Sequence, residues 1–309
     1  WALVFGQIAG SLTSVILVWS ISPWRPRLAL NRGIAGQLVR FGASITGVDI
    51  LTVFVDNLSY IVIGRLFGLA SLGVFTMSYR LPEMLIIGNL WVMAAVLFPA
   101  FSSIQDKPDE LRRGFLISIR LVQLIAMPLC VGLFIAADPI VRVVFGDQWL
   151  ETIPLLRILS MYALITSIGY HVGDIYKAIG RPDILFKLNI LSIFLMLPAL
   201  LIGSLYGLIG VAWGYLIAIA LDQMIGIYIA TRFVKVTFLD IFKEIIPAAQ
   251  AALAMVPVAL IVLFLTRDAG AFVQLVLVAL SGAATYLGIV WWTEGKALLR
   301  IAQVVISSR

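Results

Sequence analysis

Five polar side chains lie where the chain is otherwise too apolar to hold them. Asp49, Asp56, Asn57, Arg80 and Glu83 fall inside two long hydrophobic stretches that meet at FGLAS, residues 67–71. An ionisable side chain in hydrocarbon costs several kcal/mol, so such groups face a bundle interior or a wet cavity and mark a transport path. Asp49 and Asp56 are seven apart, two helical turns on one face; Arg80 and Glu83 are three apart on the next stretch. Both arms of such a hairpin aim charge at a common space. Two readings follow. Either these groups meet a substrate or a coupling ion, or Asp56 or Glu83 neutralises Arg80 as a buried pair that holds the hairpin closed.

Other candidates stand alone. His171 and Asp174, three apart and flanked by Tyr170 and Lys177, have the form of a proton-handling pair, because imidazole titrates near neutrality; the plainer reading is a hydrogen-bonded histidine near a helix end. Asp222 and Gln223 fall in mid-span. Arg120, two turns inside another span, either snorkels to the interface or meets a phosphate. No Gly-rich phosphate loop, nucleophile elbow or zinc signature is present, and one His with one Cys excludes a His- or Cys-rich metal site. No cofactor is expected beyond coupling to H+ or Na+.

These residues need elements that hold them in oil. Of the 309 residues, 62% are hydrophobic and 12% charged, against about 25% charged in soluble domains. This is an integral membrane protein, all-α, a polytopic bundle. About 20 apolar residues cross a bilayer as a helix, since no backbone group can go unpaired in lipid. Spans are expected at roughly 1–21, 41–66, 69–103, 114–137, 154–178, 184–205, 208–231, 245–266 and 271–292, about nine in all. The third is longer than a bilayer needs, and Pro82 and Pro99 should kink it. Gly73, Gly203, Gly207 and Gly210 read as close helix packing.

Basic residues alternate between the loops. One side carries Arg25, Arg27, Arg32 and Arg40, then Lys107, Arg112 and Arg113, then Lys177, Arg181 and Lys187, then Arg232, Lys235 and Lys243, and last Lys296, Arg300 and Arg309. The other carries only Arg65, Arg142 and Arg267. By the positive-inside rule the richer side is cytoplasmic, with Trp1 outside and the carboxy terminus inside. The net charge of +6 is explained by this topology, and no nucleic-acid partner is expected. Beginning at Trp1 within an apolar run, without a signal peptide's charged region, the chain reads as a fragment missing its amino-terminal part. Residues 293–309 place Lys296, Arg300, Gln303 and Ser307 on one face, as in a helix lying on the membrane surface.

Four segments taken together carry a family likeness: DNLSYIVIGRLFGLASLGVFTMSYRLPEML, LFPAFSSIQDKPDELRRGF, VVFGDQWLETIPLLRILS and YKAIGRPDILFKLNI. In order and spacing the chain resembles the polysaccharide transporter family, the Wzx-like flippases of the multidrug/oligosaccharidyl-lipid/polysaccharide exporter superfamily. That resemblance implies two six-helix lobes about a central cavity. On its map, residues 1–21 are the last helix of the first lobe, 22–40 a cytoplasmic linker, 41–231 the second lobe, 232–292 two additional helices and 293–309 a cytoplasmic tail. It implies alternating access, carrying an undecaprenyl-diphosphate-linked oligosaccharide across a bacterial inner membrane for lipopolysaccharide or exopolysaccharide synthesis. Arg80, Arg65 and Arg120 would then meet diphosphate or acidic sugars. Asp49, Asp56 and Asp222 would meet sugar hydroxyls or a coupling ion, with Glu83 beside the substrate and His171 and Asp174 handling protons. Partners would be the lipid-linked substrate, membrane lipids and other glycan-assembly proteins. The alternatives are a cation-coupled multidrug exporter, which needs a cavity poor in positive charge, a glycan polymerase or ligase, which needs a larger outer loop, and a structural scaffold.

Overall fold

The computed structural model describes residues 2–22 and 32–307, with the side chains of 2, 3, 32, 34–45, 48, 49, 182 and 294–307 outside that description. The linker residues 23–31 therefore lie outside it, as do the side chains of Arg40, Asp49, Lys296, Arg300, Gln303 and Ser307. Among the described residues the chain is helical, without strands. Residues 1–46 and 47–309 form separate contact units.

In the first unit, α1 (Ala2–Ile21) is apolar, and its Thr13 and Ser14 hydroxyls donate to the carbonyls of Ala9 and Gly10. Their polar atoms are thus satisfied within the helix, as lipid requires. The long α2 (Arg32–Pro82) begins in this unit and carries on into the second.

The second unit holds the rest. A π-helical turn (Glu83–Ile87) follows α2 and leads into α3 (Gly88–Ser103). Then come α4 (Pro108–Ile135), α5 (Ala137–Val144), α6 (Thr152–Gly169), α7 (Val172–Ala178), α8 (Pro182–Ser204), α9 (Gly207–Val234), α10 (Phe238–Leu265) and α11 (Ala271–Ser307). Eight described stretches are long and apolar enough to span a bilayer; one of them, Ile50–Ser103, has 54 residues, broken at Gly68, and is long enough to cross twice.

Helices α4, α6 and α9 form the middle of the unit, with α8 packed outside α9 and the α10–α11 pair outside α4. Val122, Ala126, Leu155, Leu159, Val211 and Leu216 fill the central core, together with Leu58, Ile63 and Phe75 of α2. A second core joins α4, α7 and α9 through Phe115, Ile175, Tyr176 and Val234. Gly203 and Gly210 let α8 and α9 touch at the backbone, since a methyl on either would overlap the other's carbonyl. Gly207 instead takes φ 77° in the turn between them, and an added methyl at Gly73 would meet nothing nearby, so the packing role expected of these two does not hold.

Three elements differ from the sequence reading. The fifth span, expected unbroken over 154–178, is interrupted at Tyr170 and His171, between α6 and α7. The segment 138–154, which the sequence presents as a loop turning at Gly146, is not a simple loop: its first residues belong to α5, which buries Ala137, Pro139 and Val141. The last two spans hold no acid or base in mid-span and so read from the sequence as peripheral, but they are packed into the lobe. Their Ala248, Ala251, Met255 and Tyr286 share a core with Met127 of α4, and the Tyr286 hydroxyl donates to the Leu124 carbonyl at 2.8 Å.

Candidate functional site

The α2 hairpin turns at Gly68, where φ is 80° and ψ is −178°, a region essentially closed to residues with a Cβ. Asp56 lies twelve residues before this glycine and Arg80 twelve after it. At 1.5 Å per residue each stands about 18 Å from the turn, so the two arms present opposite charges at one depth. With the turn at the edge of a hydrocarbon layer about 30 Å thick, that depth would be close to the middle.

Aromatic rings close the hairpin and join it to the lobe. Tyr60, one turn from Asp56, meets Phe75 edge-on at 5.7 Å and Tyr79 at 6.5 Å. Tyr79 meets Tyr162 of α6 at 5.7 Å, and Tyr162 stacks on Tyr215 of α9 at 4.6 Å with their hydroxyls 3.2 Å apart. Asp56 lies within electrostatic reach of Tyr60, Tyr162, Tyr170 and Tyr215. This tyrosine row carries phenolic hydroxyls into an apolar core beside a carboxylate. Sequence reasoning missed it, and only the Asp56–Tyr60 spacing could have hinted at it.

Arg80 Nη1 is 3.6 Å from Glu83 Oε2, with side chains 66% and 49% exposed. The pair expected to be buried is therefore open, and Asp56 is exposed as well. Pro82 has no N–H to continue the α-helical ladder, and the next turn widens so that the Gly88 N–H reaches the Glu83 carbonyl. Glu83 thus heads a π-helical turn, a device that re-aims side chains out of an α-helical register.

The other predicted residues are dispersed. Arg65 is exposed near the Gly68 turn, nine residues or about 13 Å along the helix from Asp56. Arg120 pairs with Glu244 of α10 at 3.4 Å, and Arg112 pairs with Asp240 of the same helix at 3.0 Å. Asp240 also completes a capping box with Thr237 at the start of α10. The side chain of Asp49 lies outside the described residues.

His171, 3% exposed, sits at the α6–α7 break with Nδ1 3.2 Å from Asp174 Oδ2. Its Nε2 is buried without a hydrogen-bond partner, and so are Gln123 Oε1 and Thr166 Oγ1. Buried polar atoms are seldom left so in finished structures. Gln123 donates through Nε2 to the Ser167 hydroxyl at 2.9 Å, one helical turn before His171. Asp222 accepts from the Ser192 hydroxyl at 2.6 Å, and one turn away Asn189 Nδ2 donates to Thr52 Oγ1 at 2.8 Å. These bonds form a polar seam joining α2, α8 and α9. Outside the spans, Arg142 is held more firmly protonated than usual by Asp138 and then Asp147, and Arg181 by Asp183. No group of metal-binding side chains occurs among the described residues.

A family profile described as polysaccharide biosynthesis protein matches residues 1–154. The lipopolysaccharide biosynthesis protein WzxC of Escherichia coli is 32% identical over 210 residues, 68% of this chain and 43% of that protein. The succinoglycan biosynthesis transport protein ExoT of Rhizobium meliloti is 24% identical over 97% of this chain and 62% of its own length. The chain thus spans about half the length of the curated relatives it matches. Among solved structures, the lipid II flippase MurJ in an inward closed conformation superposes with a TM-score of 0.64 at 18% identity, over 93% of this chain and 60% of that one. That likeness shows a common membrane-transporter fold. The chain belongs to the polysaccharide biosynthesis protein family of membrane proteins.

Proposed function

We propose that this chain forms the second half of a flippase that moves lipid-linked oligosaccharides across a bacterial inner membrane by alternating access. The observation that carries this reading is the pair of opposite charges, Asp56 and Arg80, both exposed and equally far from the Gly68 turn on a largely apolar hairpin. Charge kept within a long apolar hairpin costs several kcal/mol, and a diphosphate with its sugars is a ligand able to repay that cost. The planar fork of Arg80 suits two phosphate oxygens, while Asp56 and the hydroxyls of Tyr60 and Tyr79 suit sugar hydroxyls. Glu83, paired to Arg80 in this conformation, is displaced when phosphate takes the guanidinium. Asp222 and the His171–Asp174 pair are the candidates for cation or proton coupling, with Asp49 in the same role. The names of the relatives, which include a lipid II flippase and a succinoglycan transport protein, support a lipid-linked glycan over a drug as cargo.

The test is translocation of an undecaprenyl-diphosphate oligosaccharide in vesicles by the full-length parent. Arg80→Ala and Asp56→Asn, each inserted normally, are expected to slow it by about tenfold or more, the worth of a charge-assisted hydrogen bond. Wild-type rates in both variants would remove these residues from the substrate path.

A further inference from the structure

A groove of about 510 Å³ runs along the outer wall of the second unit between α4, α6 and α10. Cys130 and Phe134 of α4, Met161 and Leu164 of α6, and Val256 and Leu260 of α10 line it, and Phe134, Met161 and Leu260 are exposed. A single charge stands in this apolar lining. Arg157, four residues before Met161 and seven before Leu164, lies on the same face of α6 and is exposed.

Arg157 has no carboxylate or ring partner among the described residues, unlike the arginines nearest to it in the expected topology. Arg142 bonds Asp138 at 3.0 Å and Asp147 at 2.8 Å, while Arg267 is 3.4 Å from Asp268 and covers the Phe264 ring. An unpaired guanidinium within a helix of a membrane protein needs an anion from somewhere else. From Arg157 to Leu164 the groove extends about 10 Å, most of one leaflet's roughly 15 Å share of the hydrocarbon. A cation at one end and apolar walls for the length of a leaflet match the headgroup and upper acyl chain of an anionic phospholipid.

We propose that this groove holds an anionic glycerophospholipid, its phosphate on Arg157 and one acyl chain between α6 and α10. On the topology given by the basic loops the lipid belongs to the outer leaflet. The site is separate from the Asp56–Arg80 face, so it fastens α10 to the lobe without joining the translocation path. Its occupation does not depend on what the protein transports.

Native mass spectrometry of the full-length protein in detergent, titrated with phosphatidylglycerol or phosphatidylcholine, tests this. Wild type should retain phosphatidylglycerol preferentially. Arg157→Gln should weaken that retention about fivefold and abolish the preference, as expected for one interfacial basic group. Leu260→Trp, a substitution on an exposed wall, should reduce retention of both lipids while the melting temperature of the lipid-free protein stays unchanged. Unaltered phosphatidylglycerol retention in Arg157→Gln overturns the proposal. So does displacement of the phospholipid by an undecaprenyl-diphosphate oligosaccharide whose own binding requires Arg157, for that would assign the groove to the substrate.

Discussion

Asp222 accepts its 2.6 Å hydrogen bond from Ser192 whether or not it carries a charge, so Asp222→Asn separates bonding from charge at that position. The variant should fold normally, keep the seam between α8 and α9, and lose the dependence of translocation on the cation gradient; retained dependence would exclude Asp222 from coupling. Gln123 gives a contrasting case. Its buried Oε1 is unpartnered, and Ser167 still donates to the Leu164 carbonyl if Gln123 is removed. Gln123→Leu should therefore leave the melting temperature unchanged or raise it, because it deletes an unpaired buried acceptor at the loss of one hydrogen bond. A clear loss of stability would show that a bound water or ion completes this site. At this scale the sequence marked the charged residues by type alone, but it gave no sign of the tyrosine row. Tyr162 and Tyr215 are separated by much of α6, α7 and α8, and nothing in their neighbours says that they stack.

Elements were legible where periodicity or a breaker residue fixed them. Gly68 ends one arm and starts the next because its backbone conformation rejects a side chain, and Gly68→Ala should cost about 1–3 kcal/mol, seen as a lower melting temperature in detergent. Gly203→Val should force α8 and α9 apart where their backbones touch, and it should unfold the protein at lower temperature than the same change at Gly73, where space is open. The break between α6 and α7 was not legible, since Gly169 and Gly173 lie within a long apolar run where single glycines are tolerated in a transmembrane helix. Burial of His171 beside Asp174, with its surroundings set by packing, accompanies it there. α5 was hidden for a similar reason: eight residues are too few for helical periodicity to stand out, and only the surface it covers gives it a reason to form.

For the whole molecule, topology and attachment can be tested separately. With Cys130 buried, Gln148→Cys and Lys177→Cys supply unique reactive thiols on opposite ends of α6–α7. An impermeant maleimide added to intact cells should label the first and spare the second; the reverse pattern would invert the orientation drawn from the basic loops. Removing residues 232–309 from the full-length parent should lower its stability, because that cut strips Met127 of its core partners and leaves Arg120 without Glu244. What the sequence alone determined was the membrane class, the number and approximate limits of the spans, and the charges they hold, because hydrophobic length and the cost of ions in oil act residue by residue. What only the tertiary structure decided was which charges stay exposed and which are drawn against a distant helix. Arg80 and Arg120 look alike in the sequence, yet Arg80 keeps an exposed pair with Glu83, three residues on, while the more shielded Arg120 meets Glu244 of α10, a difference set by helix packing between residues more than a hundred positions apart.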